Sequence, residues 1–235
     1  MRVLTVATAL ALVLTSPVLA EDAPAPAAAT PAKAGTPTAS DLLFDYPSMK
    51  NTTPGSTITY DYLRRSGIEK GPFGAPLKDT ITLTIAPGKQ PDGRDIQVEM
   101  FNGLNRRPAG PYEDMTGNPV VSLFLENHLQ ALSKVLEANP RYLKLAIRRG
   151  LRERATVTPT KVMVGGKEVD GWQIVTRPFV GDPLSERMRG MDDLTYTFVT
   201  SPSVPGEIVS MEAASKNKDG GELLEEKLGY EQKAG

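Results

Sequence analysis

Short runs in which apolar and polar side chains alternate constrain this chain more than anything else in it. Ile58, Tyr60 and Tyr62 alternate with Thr57, Thr59 and Asp61; Ile81, Leu83 and Ile85 with Thr80, Thr82 and Thr84; Ile96, Val98 and Met100 with Asp95, Gln97 and Glu99. A period of two places every apolar side chain on one face of an extended strand, so each run buries one face and wets the other. That pattern predicts antiparallel strands against one core, and the intervening GPFGAP and PGKQPDG supply turn chemistry.

The period then changes. Asn118-Pro119 combines a capping side chain with proline at the first helical position, and Val121, Leu125, Leu129 or His128, Leu132 and Leu136 follow at helical spacing. Asn139-Pro140 repeats the signal and opens a second helix with Leu143, Ile147 and Leu151 as its apolar row. Strands resume with Val157, Val162 and Val164, a Gly165-Gly166 hairpin turn, and a return carrying Val169, Trp172, Ile174 and Thr176. Leu194, Tyr196 and Phe198 mark another strand, Ile208 to Met211 the next, and Leu224, Glu226, Leu228 and Tyr230 fit a last one, taken as an edge strand.

Three strands, a helix pair and about five strands, without βαβ alternation, predict an α+β fold. The expected architecture is one large curved antiparallel sheet of about eight strands, an open or half barrel, with the helix pair inserted after the third strand. Strand twist accumulates across so wide a sheet and coils it.

Ahead of the strands, Met1-Arg2 is followed by an uncharged apolar run from Val3 to Leu14, then by Pro17 and Val18-Leu19-Ala20. These are the three parts of an export signal, so residues 1–20 read as a signal peptide cleaved between Ala20 and Glu21, and the destination as periplasmic or secreted. About a dozen apolar residues fall short of the ~20 that a spanning helix needs, and no other stretch comes near, so no membrane span is expected in the mature chain. Residues 21–40 (EDAPAPAAATPAKAGTPTAS) hold nothing larger than alanine to bury and read as a disordered tether, leaving 41–235 as a single domain. Cysteine is absent, which removes both disulfides and thiol lipidation. Losing Arg2 takes the 27 basic residues to 26 against 28 acidic ones, a balance that argues against a nucleic-acid partner.

Catalytic signals are few. His128 is the one histidine, on or beside the apolar stripe of the first helix, and reads as a histidine hydrogen-bonded to a neighbour. No GxSxG, SxxK or HExxH pattern occurs. Ser215, Asn217, Asp219, Gly220 and Glu226 fall on calcium-loop positions, but Ser215 and Glu222 depart from the template and a strand precedes it, so a polar hairpin turn explains them. The acidic pairs Glu113-Asp114 and Asp192-Asp193 would serve a carboxylate-dependent hydrolase only if their loops met. Arg141, Lys144, Arg148, Arg149, Arg152 and Arg154 make the second helix basic, a solvated face or one turned to anionic lipid. Residues 103–117 read as a long loop whose Arg106, Arg107 and Tyr112 form a lip. With Phe124 and His128 on the first helix and Trp172 on the returning strand, these are the candidate ligand-binding residues; no metal, cofactor or catalytic residue is called.

The Tyr60/Tyr62 strand, the Asn118-Pro119 helix start and the Gly165-Gly166 hairpin, in this order over residues 55–231, resemble the LolA/LolB-like half-barrel proteins of the periplasm. That resemblance implies a curved sheet wrapped around helices, in several cases with acyl chains held between them, and it transfers no binding residue. The missing cysteine excludes the lipoprotein members. The expectation is therefore a non-enzymatic envelope protein whose partner is a lipid or another envelope protein. It binds an apolar or lipid ligand between sheet and helices; the alternatives are a structural or protein-interaction module with a filled core, and the carboxylate hydrolase.

Overall fold

The computed structural model describes residues 35–67, 73–216 and 221–232, with the backbone alone at Glu222. The signal peptide and most of the tether expected at 21–40 lie outside these residues. Chain order begins with a π-helical turn at Asp41–Asp45, then β1 (Thr57–Ser66), β2 (Leu77–Pro87), β3 (Arg94–Met100) and β4 (Arg107–Met115). The helices α1 (Pro119–Leu136) and α2 (Pro140–Arg149) follow, with a π-helical turn at Gly150–Arg154. The chain closes with β5 (Thr156–Val164), β6 (Lys167–Thr176), β7 (Thr195–Thr200), β8 (Ile208–Lys216) and β9 (Glu222–Tyr230).

The fold is α+β, built on one antiparallel sheet of nine strands in the order β4-β3-β2-β1-β9-β8-β7-β6-β5, which does not close. The chain walks from the centre to one edge, crosses by way of the helices to the other edge, and walks back until β9 pairs with β1. Two expectations are corrected by this path. The helix pair enters after the fourth strand, because the expected loop at 103–117 is mostly β4. Pro108, Gly110 and Pro111 remove the alternating pattern and a ladder donor at each proline, which only an edge strand tolerates. The last strand, expected at an edge, is central, with β1 on one side and β8 on the other.

Inward phases match the alternation. Ile58, Tyr60 and Tyr62, Ile81, Leu83 and Ile85, and Ile96 and Val98 are all buried, as are Tyr196 and Phe198. Both helices start at the expected caps: the Asn118 side chain accepts from the Val120 N–H at 3.1 Å and that of Asn139 from the Arg141 N–H at 2.9 Å. Asn118 is also a tertiary tie, its Nδ2 donating to the Tyr60 hydroxyl at 2.9 Å and to the Gly206 carbonyl at 3.0 Å. Ahead of the first turn, Thr38 Oγ1 accepts from the Asp41 N–H and Ala39 is buried. At the far rim, Gln232 accepts from the Gly165 N–H at 2.8 Å and donates to the Met163 carbonyl at 2.6 Å. The β5–β6 turn thus meets the second residue after β9, although β5 lies four strands from β9 in the sheet.

Candidate functional site

Between α1 and the sheet the space is filled. Val120, Val121, Phe124, Leu132 and Val135 of α1 are each at most 1 % exposed against the strands. Within this apolar layer sits one polar cluster, assembled from three elements. Imidazole Nδ1 of His128 on α1 lies 2.8 Å from Glu226 Oε2 on β9, and both side chains are fully buried. The other carboxylate oxygen accepts from the Tyr62 hydroxyl of β1 at 2.7 Å and from Asn127 Nδ2 of α1 at 3.1 Å.

Strand register explains why the cluster forms there. One cross-strand row on the helix-covered face runs Arg64 (β1), Glu226 (β9), Ala213 (β8), Tyr196 (β7), Thr176 (β6). His128 reaches both neighbours of Ala213, bonding Glu226 and setting its ring edge-on to Tyr196 at 5.4 Å between centroids. A methyl group in the middle of the row leaves the height that an imidazole needs. Burial pushes the Glu226 carboxyl up, but the hydrogen bonds from His128, Tyr62 and Asn127, together with the charge of His128, outweigh it and hold the group below the usual carboxylate range. Burial, then the neighbouring carboxylate, push the hydroxyls of Tyr62 and Tyr196 well up. His128 Nε2 and the Tyr196 hydroxyl are buried with no hydrogen-bond partner among the described residues. The dyad has the polarity of a base and its orienting carboxylate, but both side chains are fully buried and no serine or threonine hydroxyl among the described residues bonds to it; what its geometry does is tie α1 to β9.

The other sequence candidates lie apart. Arg106, just ahead of β4, pairs with Glu99 of β3, Arg107 stacks its guanidinium over Phe101 at 5.1 Å, and Tyr112 lies opposite Ile96, all at the β4 edge of the sheet. Trp172 is on β6 opposite Thr200, next to the other edge. Of the six, Phe124 and His128 meet, with ring centroids 6.5 Å apart. The acidic pairs are taken up locally: Glu113 binds Lys89 at 3.1 Å, Asp114 accepts from the Gln90 N–H, and Asp193 accepts from Ser215 Oγ at 2.6 Å. Of the calcium-loop positions, 217–220 lie outside the described residues, while Ser215 and Glu226 are engaged in the core; no group of three metal-ligating side chains occurs among the described residues.

An opening lies on the far side of the helices. The 41–45 turn, α1, α2 and the 150–154 turn enclose a groove of about 390 Å³ with Leu125, Leu129, Ile147 and Leu151 as its floor. Phe44 stands in its wall, 43 % exposed. The groove was not among the sequence candidates, and Glu226 stood there only as a calcium-loop position, yet each left a signal: Glu226 stands in phase with Leu224 and Leu228, and Phe44 ends an apolar triplet ahead of the first strand.

No protein-family model and no curated protein matches the chain. No helix among the described residues is long and apolar enough to cross a membrane.

Proposed function

We propose that this protein is a non-enzymatic binding protein of the bacterial envelope, exported to the periplasm after cleavage between Ala20 and Glu21, and that it takes an apolar or lipid-like ligand on the outer side of its helix pair. The observation that carries this reading is the apolar-floored groove of about 390 Å³, which falls in the ~300–1,000 Å³ range of small-molecule sites. Its place differs from the one that the LolA/LolB resemblance implies, because the layer between α1 and the strands is already packed. A half-barrel curvature like that group's is part of the proposal, supported by the contact of Gln232 with the β5–β6 turn. The absence of catalysis is supported by the sealing of His128 and Glu226 from solvent.

The packed interior also favours a second reading, an envelope interaction module that carries no ligand. Native mass spectrometry of the full chain purified from a periplasm separates the two. Ligand carriage predicts a bound apolar molecule that is lost from Ser122→Trp, which fills the groove from an exposed position on its wall. An empty wild-type chain that co-purifies with a stable protein partner supports the interaction module and overturns carriage.

A further inference from the structure

The groove is not electrically uniform, and its charges narrow the class of ligand. Lys144, Arg148 and Arg152 recur every four residues along α2 and the turn that continues it, so they line one side of the opening. Two carboxylates, Asp45 and Glu126, also border it. Glu126 is already satisfied, accepting from Gln130 Nε2 and from Lys144 Nζ, each at 3.2 Å. The Gln130 bond first and the Lys144 bond second hold its carboxyl below the usual range. That internal pair removes Lys144 and Glu126 from the balance. Arg148 and Arg152 are exposed and have no ion pair or hydrogen bond among the described residues, which leaves two unengaged guanidinium groups against Asp45 at the mouth of an apolar slot.

We infer that the groove binds a single-chain anionic amphiphile, a fatty carboxylate, with the chain on Leu125, Leu129, Ile147 and Leu151 and the carboxylate at Arg148 and Arg152. The inference rests on the groove reading of the previous section and adds the head group to it. Guanidinium is the side chain suited to the end group, because its planar fork of donors matches the two oxygens of a carboxylate. Apolar contact supplies affinity while the charged end sets direction and selectivity, the division of labour common to such sites. An exposed ion pair is individually weak, so the expected preference is moderate and falls with salt.

The test is binding of dodecanoate, dodecanol and dodecyltrimethylammonium to the full mature chain, below micelle-forming concentrations, by isothermal titration. Dodecanoate is expected to bind about tenfold tighter than the alcohol at low salt, with the cationic chain weakest. In Arg148→Gln/Arg152→Gln, two exposed changes that leave the fold intact, the preference for the anion is expected to shrink to about twofold or less while the alcohol binds as before. Equal affinity for carboxylate and alcohol in the wild type overturns the head-group assignment and leaves the apolar groove standing. If none of the three chains binds, or if Ser122→Trp binds them as the wild type does, the groove reading itself falls. Arginine-dependent binding to anionic phospholipid vesicles without binding of free dodecanoate overturns the inference in favour of a membrane surface.

Discussion

His128 Nδ1 lies 2.8 Å from Glu226 Oε2 with neither side chain exposed, so the middle of α1 is fixed to the central strand of the sheet by a fully buried polar contact. Taking such groups out of water is expensive, and the expense is offset only while each keeps its partner. Removing one partner leaves the other buried and uncompensated. Glu226→Leu alone is therefore expected to destabilise the protein by about 3–5 kcal/mol, whereas His128→Leu/Glu226→Leu recovers much of that loss. Urea unfolding of the wild type, Glu226→Leu, His128→Leu and the double variant checks this, and a double variant as unstable as the sum of the two single ones contradicts it.

The same contact sets an acid limit. The folded carboxyl of Glu226 titrates below its unfolded value, so its contribution is fully present above the usual carboxylate range, near pH 4–5, and is lost as pH falls through the lower folded value. The midpoint of urea unfolding is expected to drop below about pH 4 more steeply in the wild type than in Glu226→Gln. Parallel curves for the two proteins refute it.

At the alkaline end the sign reverses. Burial pushes the hydroxyls of Tyr60, Tyr62 and Tyr196 up, so stability is complete below the unfolded value near 10 and declines as pH rises above it. Phenolate absorbance is expected to appear in two stages, the second coinciding with loss of the near-ultraviolet dichroism. Complete ionisation of the tyrosines while that dichroism persists sinks the prediction.

Two of these tyrosines differ in a way that a single oxygen atom reports. Tyr62 donates to Glu226 at 2.7 Å, while the Tyr196 hydroxyl is buried without a partner among the described residues. Tyr62→Phe removes a charge-assisted bond and is expected to cost about 1.5–3 kcal/mol. Tyr196→Phe removes an unsatisfied polar atom and is expected to be neutral or stabilising. Equal losses in thermal melts of the two variants contradict the assignment.

How far this arrangement was legible in the chain depended on the reach of the interactions. Alternation placed most strands, and the Asn-Pro pairs placed both helices, because those signals act over a few residues. β4 escaped because Pro108, Gly110 and Pro111 erase alternation, and an edge strand can afford that. The central place of β9 depends on pairing with β1, more than 150 residues earlier, which no local pattern encodes. Glu226 was half-visible: a carboxylate in the inward phase demands a partner, and the one histidine of the chain lies on the helix stripe, but only the register brings them together. Leu125 and Leu129 belong to the apolar row that spacing marks on α1, but spacing does not show that they line an outer groove, which exists because α2 and Phe44 flank α1 on a second side.

The cross-strand row supplies the most local test of the seat beneath α1. Ala213 lies between Glu226 and Tyr196 in register, and His128 contacts both of those side chains, so the row tolerates only a small side chain at 213. Ala213→Leu adds apolar surface at a fully buried position, which burial alone counts as favourable. Packing decides the sign, since added methylenes meet the imidazole and the helix that carries it must lift. A loss of about 1–3 kcal/mol in urea unfolding is expected. Ala213→Gly opens space without moving His128 and is expected to cost about 0.5–1 kcal/mol through backbone entropy in the strand. A loss for leucine that disappears in His128→Ala, where the imidazole is gone, assigns the clash to that ring. A loss that persists unchanged there shows that residue 213 is crowded by something other than His128.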